Sequence, residues 1–154
     1  MTHADMQHKE HPRSLAREFV IQFLYQCECD NIYYFSANHF AGFATHFNLA
    51  DRVKYYTEEL ATGCLSNMTD IDEKIQSCSK NWKIERMPIT DRSILRMATF
   101  ELMQQQTPAK VVLNEAIELA KKFGTKDSGA FVNGVLDHLL ALIDPAAERH
   151  VPEE

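Results

Sequence analysis

The stretch between residues 90 and 140 contains three consecutive segments with the apolar spacing of amphipathic helices and with recognisable ends. In the first segment, Thr90 is the predicted N-cap. Asp91 follows in the first turn, where the helix dipole favours a negative charge. Thr107 and Pro108 end this helix and begin the next, because proline is tolerated at the start of a helix but not inside one. Three adjacent helices with short connections constrain the chain towards an all-helical fold.

The second and third helices of this stretch also have ends that the sequence specifies. Lys121 and Lys122 lie in the last turn of the second helix, where the dipole favours cations. Gly124 is the expected left-handed residue that follows, and Asp127 or Ser128 is expected to cap the third helix. The buried face of the second helix is predicted to consist of Val111, Val112, Ala116, Leu119, Ala120 and Phe123.

The part of the chain before residue 90 has helical spacing as well. We expect a first helix from Arg13, after Pro12, and a short second one in the aromatic-rich stretch 31–50. Asp51 and Asp70 are expected to cap the next two helices. About six or seven helices with short connections predict a compact all-α bundle.

The predicted organisation is one helical domain between two tails. Residues 1–12 are expected to form a disordered tail, residues 13–143 the domain, and residues 144–154 a frayed end. Trp82, the single tryptophan of the chain, is predicted to be a core anchor at a helix junction.

The composition excludes several classes of protein. The net charge of −6 argues against a surface coated with basic charge for indiscriminate nucleic-acid binding. No apolar run approaches the roughly 20 residues of a membrane span, and the polar N-terminus lacks the apolar core of a secretory signal. We therefore expect a cytoplasmic protein without a membrane partner.

The sequence predicts neither a metal site nor a cofactor. The cysteines, Cys27, Cys29, Cys64 and Cys78, lack the usual zinc spacing and are expected to be reduced, semi-buried thiols. The alternative of a histidine site in the N-terminal tail, with His3, His8 and His11, is less favoured than a plain polar tail.

No constellation of residues indicates catalysis. The chain has neither an H-E-x-x-H nor a G-x-S-x-G sequence. The run Gly124, Thr125, Lys126 lacks the frame of a phosphate loop. His138 stands alone on the last helix, where a surface histidine is commoner than a catalytic base. We therefore expect a binding protein and not an enzyme.

Arg13 and Arg17 form the one local pattern that favours a ligand. They are four residues apart in the first turns of a helix, where two cations repel each other and oppose the helix dipole. An external anion such as phosphate would relieve both effects. The alternative is that Arg17 pairs with a carboxylate at the edge of the core while Arg13 is solvated.

Several segments resemble the NusB family of bacterial transcription antitermination factors. The resemblance spans roughly residues 13–140. It implies an all-α fold of two packed helical subdomains, and a non-enzymatic protein. The matching segments are Arg13–Glu18, Gln22–Tyr25, Asp91–Arg96, Asn114–Lys121 and Phe131–Asp137.

The resemblance also implies partners and site residues. The family binds the boxA element of ribosomal RNA leaders together with NusE, a small-subunit ribosomal protein, and acts on RNA polymerase with other Nus factors. The residues expected at the RNA are Arg13, Arg17, Tyr25, Arg96, Lys121, Lys122 and Phe131. Asp91 and Asp127 are expected to contact NusE, and a homodimer is possible.

Other readings of these residues remain open. Phe131 is equally compatible with a core position. Helix capping alone accounts for Lys121 and Lys122, and Asp127 suits a plain N-cap.

The arginine-rich motif is thin, because Ser14 and Leu15 occupy positions where the family is often basic. RNA affinity is therefore expected to depend on NusE. An adaptor that binds protein but not RNA is the main alternative. A module fused to an RNA methyltransferase would need a catalytic domain downstream of the last helix, which we do not expect.

Overall fold

The computed structural model describes residues 11–148, and within them all regular structure is helical. The prediction of an all-α fold is therefore confirmed. A short 3-10 turn, Ile84–Arg86, precedes the fifth α-helix. In chain order the α-helices are α1 Pro12–Asp30, α2 Ala37–His46, α3 Asp51–Ser66, α4 Met68–Cys78, α5 Ile89–Gln104, α6 Ala109–Phe123, α7 Ser128–Ile143 and α8 Pro145–Glu148.

The chain divides into two compact units. The first comprises Met1–Met68, and within its described part α1 packs along α3. Its core is rich in aromatic rings, centred on the fully buried Phe23 of α1. The Phe23 ring lies 5.1–6.5 Å, centroid to centroid, from the rings of Phe35, His39, Phe40 and Phe43.

The second unit comprises Thr69–Glu154. Within it α5, α6 and α7 pack pairwise against one another, and α8 packs on α7. Helix α5 is buried on nearly every side between Asp91 and Leu102. It therefore forms the centre of this unit, where burial favours polar side chains that are paired inside the fold. Among the described residues, the buried hydroxyls of Ser93 and Thr99 are exceptions without a hydrogen-bond partner. The buried residues of α6 and α7 that enclose it include Val112, Ala116, Leu119, Val132, Leu136 and Leu139.

Several predicted helix ends are wrong by one to three residues. Helix α5 begins at Ile89, because the Pro88 carbonyl already accepts the first helical hydrogen bond, from Arg92 N at 3.0 Å. Thr90 therefore lies inside the first turn and does not cap the helix. Asp51 and Asp70 likewise lie in the first turns of α3 and α4. There they still favour the helices through the dipole.

The expected tails lie largely outside the described residues, including His3 and His8. His11 is described. Its Nδ1 accepts a hydrogen bond from Arg13 N at 3.2 Å, so it caps α1. At the other end α7 stops at Ile143 as expected, and the chain then forms the short helix α8.

The structure corrects three predictions about side-chain burial. Trp82 is not a core anchor, because 58% of its side chain is exposed. Val111 and Phe123, which were expected on the buried face of α6, are 42% and 37% exposed. On α6 the apolar spacing continues beyond the part of the helix that is buried, whereas Trp82 lies outside any helix, in the turn that follows α4.

Gly124 also differs from the expectation. Its backbone is extended, with φ −97° and ψ −162°, and is not left-handed. Glycine is required there for space. A Cβ atom would overlap Ser128 Oγ and would lie only 2.6 Å from Ser128 Cβ and 2.8 Å from the Ala120 carbonyl oxygen.

The cysteines are all free, but they differ in accessibility. Cys27 is 2% exposed, and burial, with smaller effects from Asp30 and Glu28, raises the pKa of its thiol to about 12. Cys29 is exposed. The prediction of semi-buried thiols therefore holds for some of the cysteines and fails for Cys29.

We expect iodoacetamide at pH 8.5 to modify Cys29 and to leave Cys27 protected in the folded protein. The thiolate is the reactive form, and the fold disfavours it at Cys27. The folded-state pKa of Cys27 is raised above the value in the unfolded chain. The neutral thiol therefore contributes fully to the free energy of unfolding below about pH 9, and this contribution is lost as the pH rises towards about 12. Peptide mass spectrometry would measure both rates. Equal rates of modification at the two cysteines would contradict this expectation.

Candidate nucleic-acid interface

Two arginines of the first unit converge on one tyrosine. The Arg13 guanidinium, at the start of α1, lies 4.5 Å from the centroid of the Tyr56 ring on α3. Arg52 lies 6.0 Å from the same centroid, and its Nη2 donates a hydrogen bond to the Tyr56 hydroxyl at 3.4 Å. The packing of α1 along α3 positions all three residues, which we call the arginine–tyrosine cluster.

The cluster is electrostatically positive. Hydrogen bonds from Arg52 and then Arg13, together with the charges of both guanidinium groups, lower the pKa of the Tyr56 hydroxyl from its usual value. A surface that favours the anionic form of a tyrosine also favours other anions, such as a phosphate group. The chain as a whole is acidic, so the cluster is a local exception to its net charge of −6.

Sequence reasoning missed Arg52 and Tyr56. One available signal was their spacing of four residues, which places them on the same face of α3. The second partner, Arg13, is far away in the sequence and meets them only through helix packing. Tyr56 itself is half-buried, and the fully buried residue beside it is Thr57.

The structure separates the other residues predicted on α1. Arg17 is only 4% exposed and is engaged within the fold, whereas Arg13 is exposed. The two arginines therefore do not present one joint surface to an anion. Tyr25 is 44% exposed and lies about 18 Å further along α1 than Arg13, roughly a third of a turn around it.

Two of the predicted site residues on α5 are buried in the second unit. Arg96 forms a two-pronged ion pair with Asp72 of α4, with Nε to Oδ1 at 2.8 Å and Nη2 to Oδ2 at 2.9 Å. Asp91 is 5% exposed, and its Oδ1 accepts a hydrogen bond from Ser128 Oγ at 2.8 Å. Both side chains tie α5 to neighbouring helices.

The remaining predicted residues lie at the surface of the second unit. Lys121 is 3.7 Å from Glu118, and Lys122 Nζ lies 5.4 Å from the centroid of the Phe123 ring. Asp127 occupies the N-cap position of α7, but its side chain makes no capping hydrogen bond. The hydroxyl of Ser128 instead accepts a hydrogen bond from Thr125 N at 2.9 Å.

The structure excludes a full core position for Phe131, which was one of the two interpretations of this residue. It is half-buried in α7 and is not a full core residue. Its ring meets the exposed Trp82 indole edge to face, with centroids 6.4 Å apart and an interplanar angle of 80°.

Two other properties concern the described residues alone. Within residues 11–148, no group of three or more histidine, cysteine, aspartate or glutamate side chains is placed to hold a metal ion. None of the helices in that range is both long and apolar enough to cross a membrane.

Comparisons with known proteins point to one family. The model of the NusB family matches residues 14–141. The transcription antitermination protein NusB of Anaeromyxobacter dehalogenans strain 2CP-1 is 42% identical over 137 residues, which cover 87% of this chain and 94% of that protein.

Solved structures show the same likeness. The structure of T. maritima NusB has a TM-score of 0.77 at 29% identity and covers 92% of this chain and 99% of its own. A crystal structure of the antitermination factors NusB and NusE in complex with double-stranded RNA has a TM-score of 0.76 at 22% identity. It covers 85% of this chain and 97% of its own, and it supports the fold alone.

Proposed function

The chain belongs to the NusB family, and from this premise we propose that it is a transcription antitermination factor that binds boxA-type leader RNA together with NusE. It acts by binding and not by catalysis. Its place is in the cytoplasm with transcribing RNA polymerase and the other Nus factors. The observation that carries the RNA-binding part of this proposal is the arginine–tyrosine cluster.

The chemistry of the cluster suits an RNA backbone. A guanidinium group donates hydrogen bonds in a planar fork that matches phosphate oxygens. Arg13 and Arg52 approach the Tyr56 ring from two different helices, so their positions are fixed before an RNA arrives. Tyr25, further along α1 and 44% exposed, offers a ring on which an unpaired base can stack.

We assign the buried residues a supporting role. Arg17 and Arg96 are 4% and 7% exposed, so each acts on RNA through the position of its helix and not by direct contact. Asp91 likewise supports NusE binding by fixing the start of α7, where Asp127 is exposed. The residues of the second unit that we assign to direct contact with RNA are Lys121, Lys122 and Phe131.

The test is a titration of boxA-type single-stranded RNA with the protein, with and without NusE, at two salt concentrations. The same RNA annealed to its complement serves as a comparison, because the related complex contains double-stranded RNA. We expect salt-sensitive binding that NusE strengthens. Binding of NusE without any gain in RNA affinity would instead establish the adaptor alternative.

We expect Arg13→Ala to weaken RNA binding and to lower the slope of log affinity against log salt by about 0.7, the value for one phosphate contact with a single strand. Arg13 is exposed, so its loss should leave thermal unfolding unchanged. Fluorescence anisotropy of labelled RNA at four or more salt concentrations would measure the slope.

Lys54→Ala is the matched control for this variant. Lys54 is an exposed cation of the same unit, but it lies about 200° around α3 from Tyr56. The Lys54→Ala substitution therefore removes the same charge as Arg13→Ala, but from a side chain that faces away from the cluster. Equal losses in the two variants would show that overall charge, and not the arginine–tyrosine cluster, attracts the RNA.

A further inference from the structure

Hydrogen bonds hold the backbone of the exposed Trp82 in place. Its carbonyl oxygen accepts hydrogen bonds from Gln76 Nε2 at 2.9 Å and from Ser79 Oγ at 3.3 Å. Its backbone N–H donates to the Ser79 carbonyl at 3.0 Å. The turn that follows α4 therefore presents the indole at the surface, where 58% of it is open to solvent.

Trp82 and Phe131 together form one wall of a groove of about 660 Å³ between the end of α4 and α7. The other residues that line it are mostly polar or cationic, and none of the described lining residues is acidic. In a chain with 22 aspartates and glutamates, a groove of this kind favours an anionic partner. Its polar and cationic lining includes Ser77, Lys80, Asn81 and His138.

The aromatic wall and the nearby Lys80 together limit the classes of anionic partner that fit the groove. An apolar protein segment would bury Trp82 but would gain nothing from Lys80 beside it. An unpaired nucleobase stacks on an aromatic ring while its phosphate remains near the cation. An edge-to-face ring behind the indole keeps the outer face of the indole available for stacking.

We propose that Trp82, backed by Phe131, is a stacking platform for one unpaired base of single-stranded RNA, with Lys80 near the adjoining phosphate. This inference rests on the proposed function, because it supposes that the protein binds RNA. It adds a residue that the sequence had assigned to the core, and it predicts that the second unit discriminates single strands from duplexes.

Trp82 is the only tryptophan in the chain, so its fluorescence reports on this site directly. We expect the single-stranded RNA to quench it and the annealed duplex to leave it nearly unchanged. We expect Trp82→Leu to weaken single-strand affinity about tenfold, within the range found for one stacked base. Trp82→Phe, which keeps a ring, should lose no more than about threefold.

Tyr34→Leu is the control, because Tyr34 is an aromatic residue that is 65% exposed on the first unit. Circular dichroism melting should be the same for all variants. If RNA binds without quenching the Trp82 fluorescence, and if Trp82→Leu keeps full affinity for RNA, then Trp82 is not a stacking platform. The proposed function would still hold. A loss of NusE binding alone in Trp82→Leu would also overturn the platform, and would identify the groove as a protein-docking surface.

A complete absence of RNA binding by the unaltered protein, with and without NusE, would remove the proposed function and the platform together. The labelled-RNA anisotropy measurement distinguishes this outcome from failure of the platform alone, because it detects binding anywhere on the protein.

Discussion

Replacing Arg96 with alanine is expected to lower the free energy of unfolding by about 3 kcal/mol, because it leaves the Asp72 carboxylate without its main partner. The guanidinium group donates two hydrogen bonds to that carboxylate, at 2.8 and 2.9 Å. The side chains are 9% and 29% exposed. The partial exposure of Asp72 lets water compensate in part, so the expected effect lies at the lower end of the range for buried pairs. Urea denaturation followed by circular dichroism would measure it.

The double variant Arg96→Ala/Asp72→Asn separates the ion pair from other losses. If the pair accounts for the effect, the double variant should be less destabilised than the sum of the single variants. RNA affinity of folded Arg96→Ala then decides the role of the residue. A large loss of affinity with unchanged stability would contradict a supporting role and indicate direct contact with RNA.

Gly124→Ala is expected to cost about 2–3 kcal/mol of folding free energy, since the added methyl group overlaps Ser128 and the Ala120 carbonyl oxygen. Neither neighbour moves freely. Ser128 is 1% exposed and its hydroxyl binds both Asp91 and Thr125 N. The methyl group therefore disturbs the connection between α6 and α7 and the hydrogen bond to α5. Thermal and urea denaturation would give the size of the loss.

Gly134→Ala is a matched control within the same unit. A Cβ atom at Gly134 meets nothing within 4 Å, and alanine is favoured over glycine inside a helix by about 1 kcal/mol. This variant should therefore be as stable as the original or more so. Equal destabilisation by the two substitutions would show that loss of glycine flexibility, and not the contact with Ser128, explains the effect at Gly124.

Much of the fold follows from local spacing in the sequence. The limits of α6 agree with the expected breaks at Pro108 and Gly124, and α7 ends at the predicted domain limit, residue 143. The first helix begins at Pro12, one residue before its predicted start at Arg13. These features depend on neighbouring residues only, so a single chain is enough to find them.

The candidate site depended on contacts between distant residues. Arg96 finds its partner 24 positions away and Asp91 finds its partner 37 positions away. A carboxylate or guanidinium in an amphipathic helix has the same local pattern whether it is solvated or paired inside the fold. For the same reason the sequence did not distinguish the buried Arg17 from the exposed Arg13. Trp82 was misplaced because large apolar residues are usually buried, and the turn that holds it outward has no simple sequence signal.

The way in which the cluster holds its arginines has a consequence for the strength of binding. The Tyr56 ring orients Arg13 and Arg52 through its π face, and a π face restrains a cation without supplying a full negative charge to neutralise it. An arginine ordered by a carboxylate must give up that partner before it binds phosphate. Here the rotamers are restricted in advance while the positive charge is preserved, so an incoming phosphate meets a smaller entropic cost.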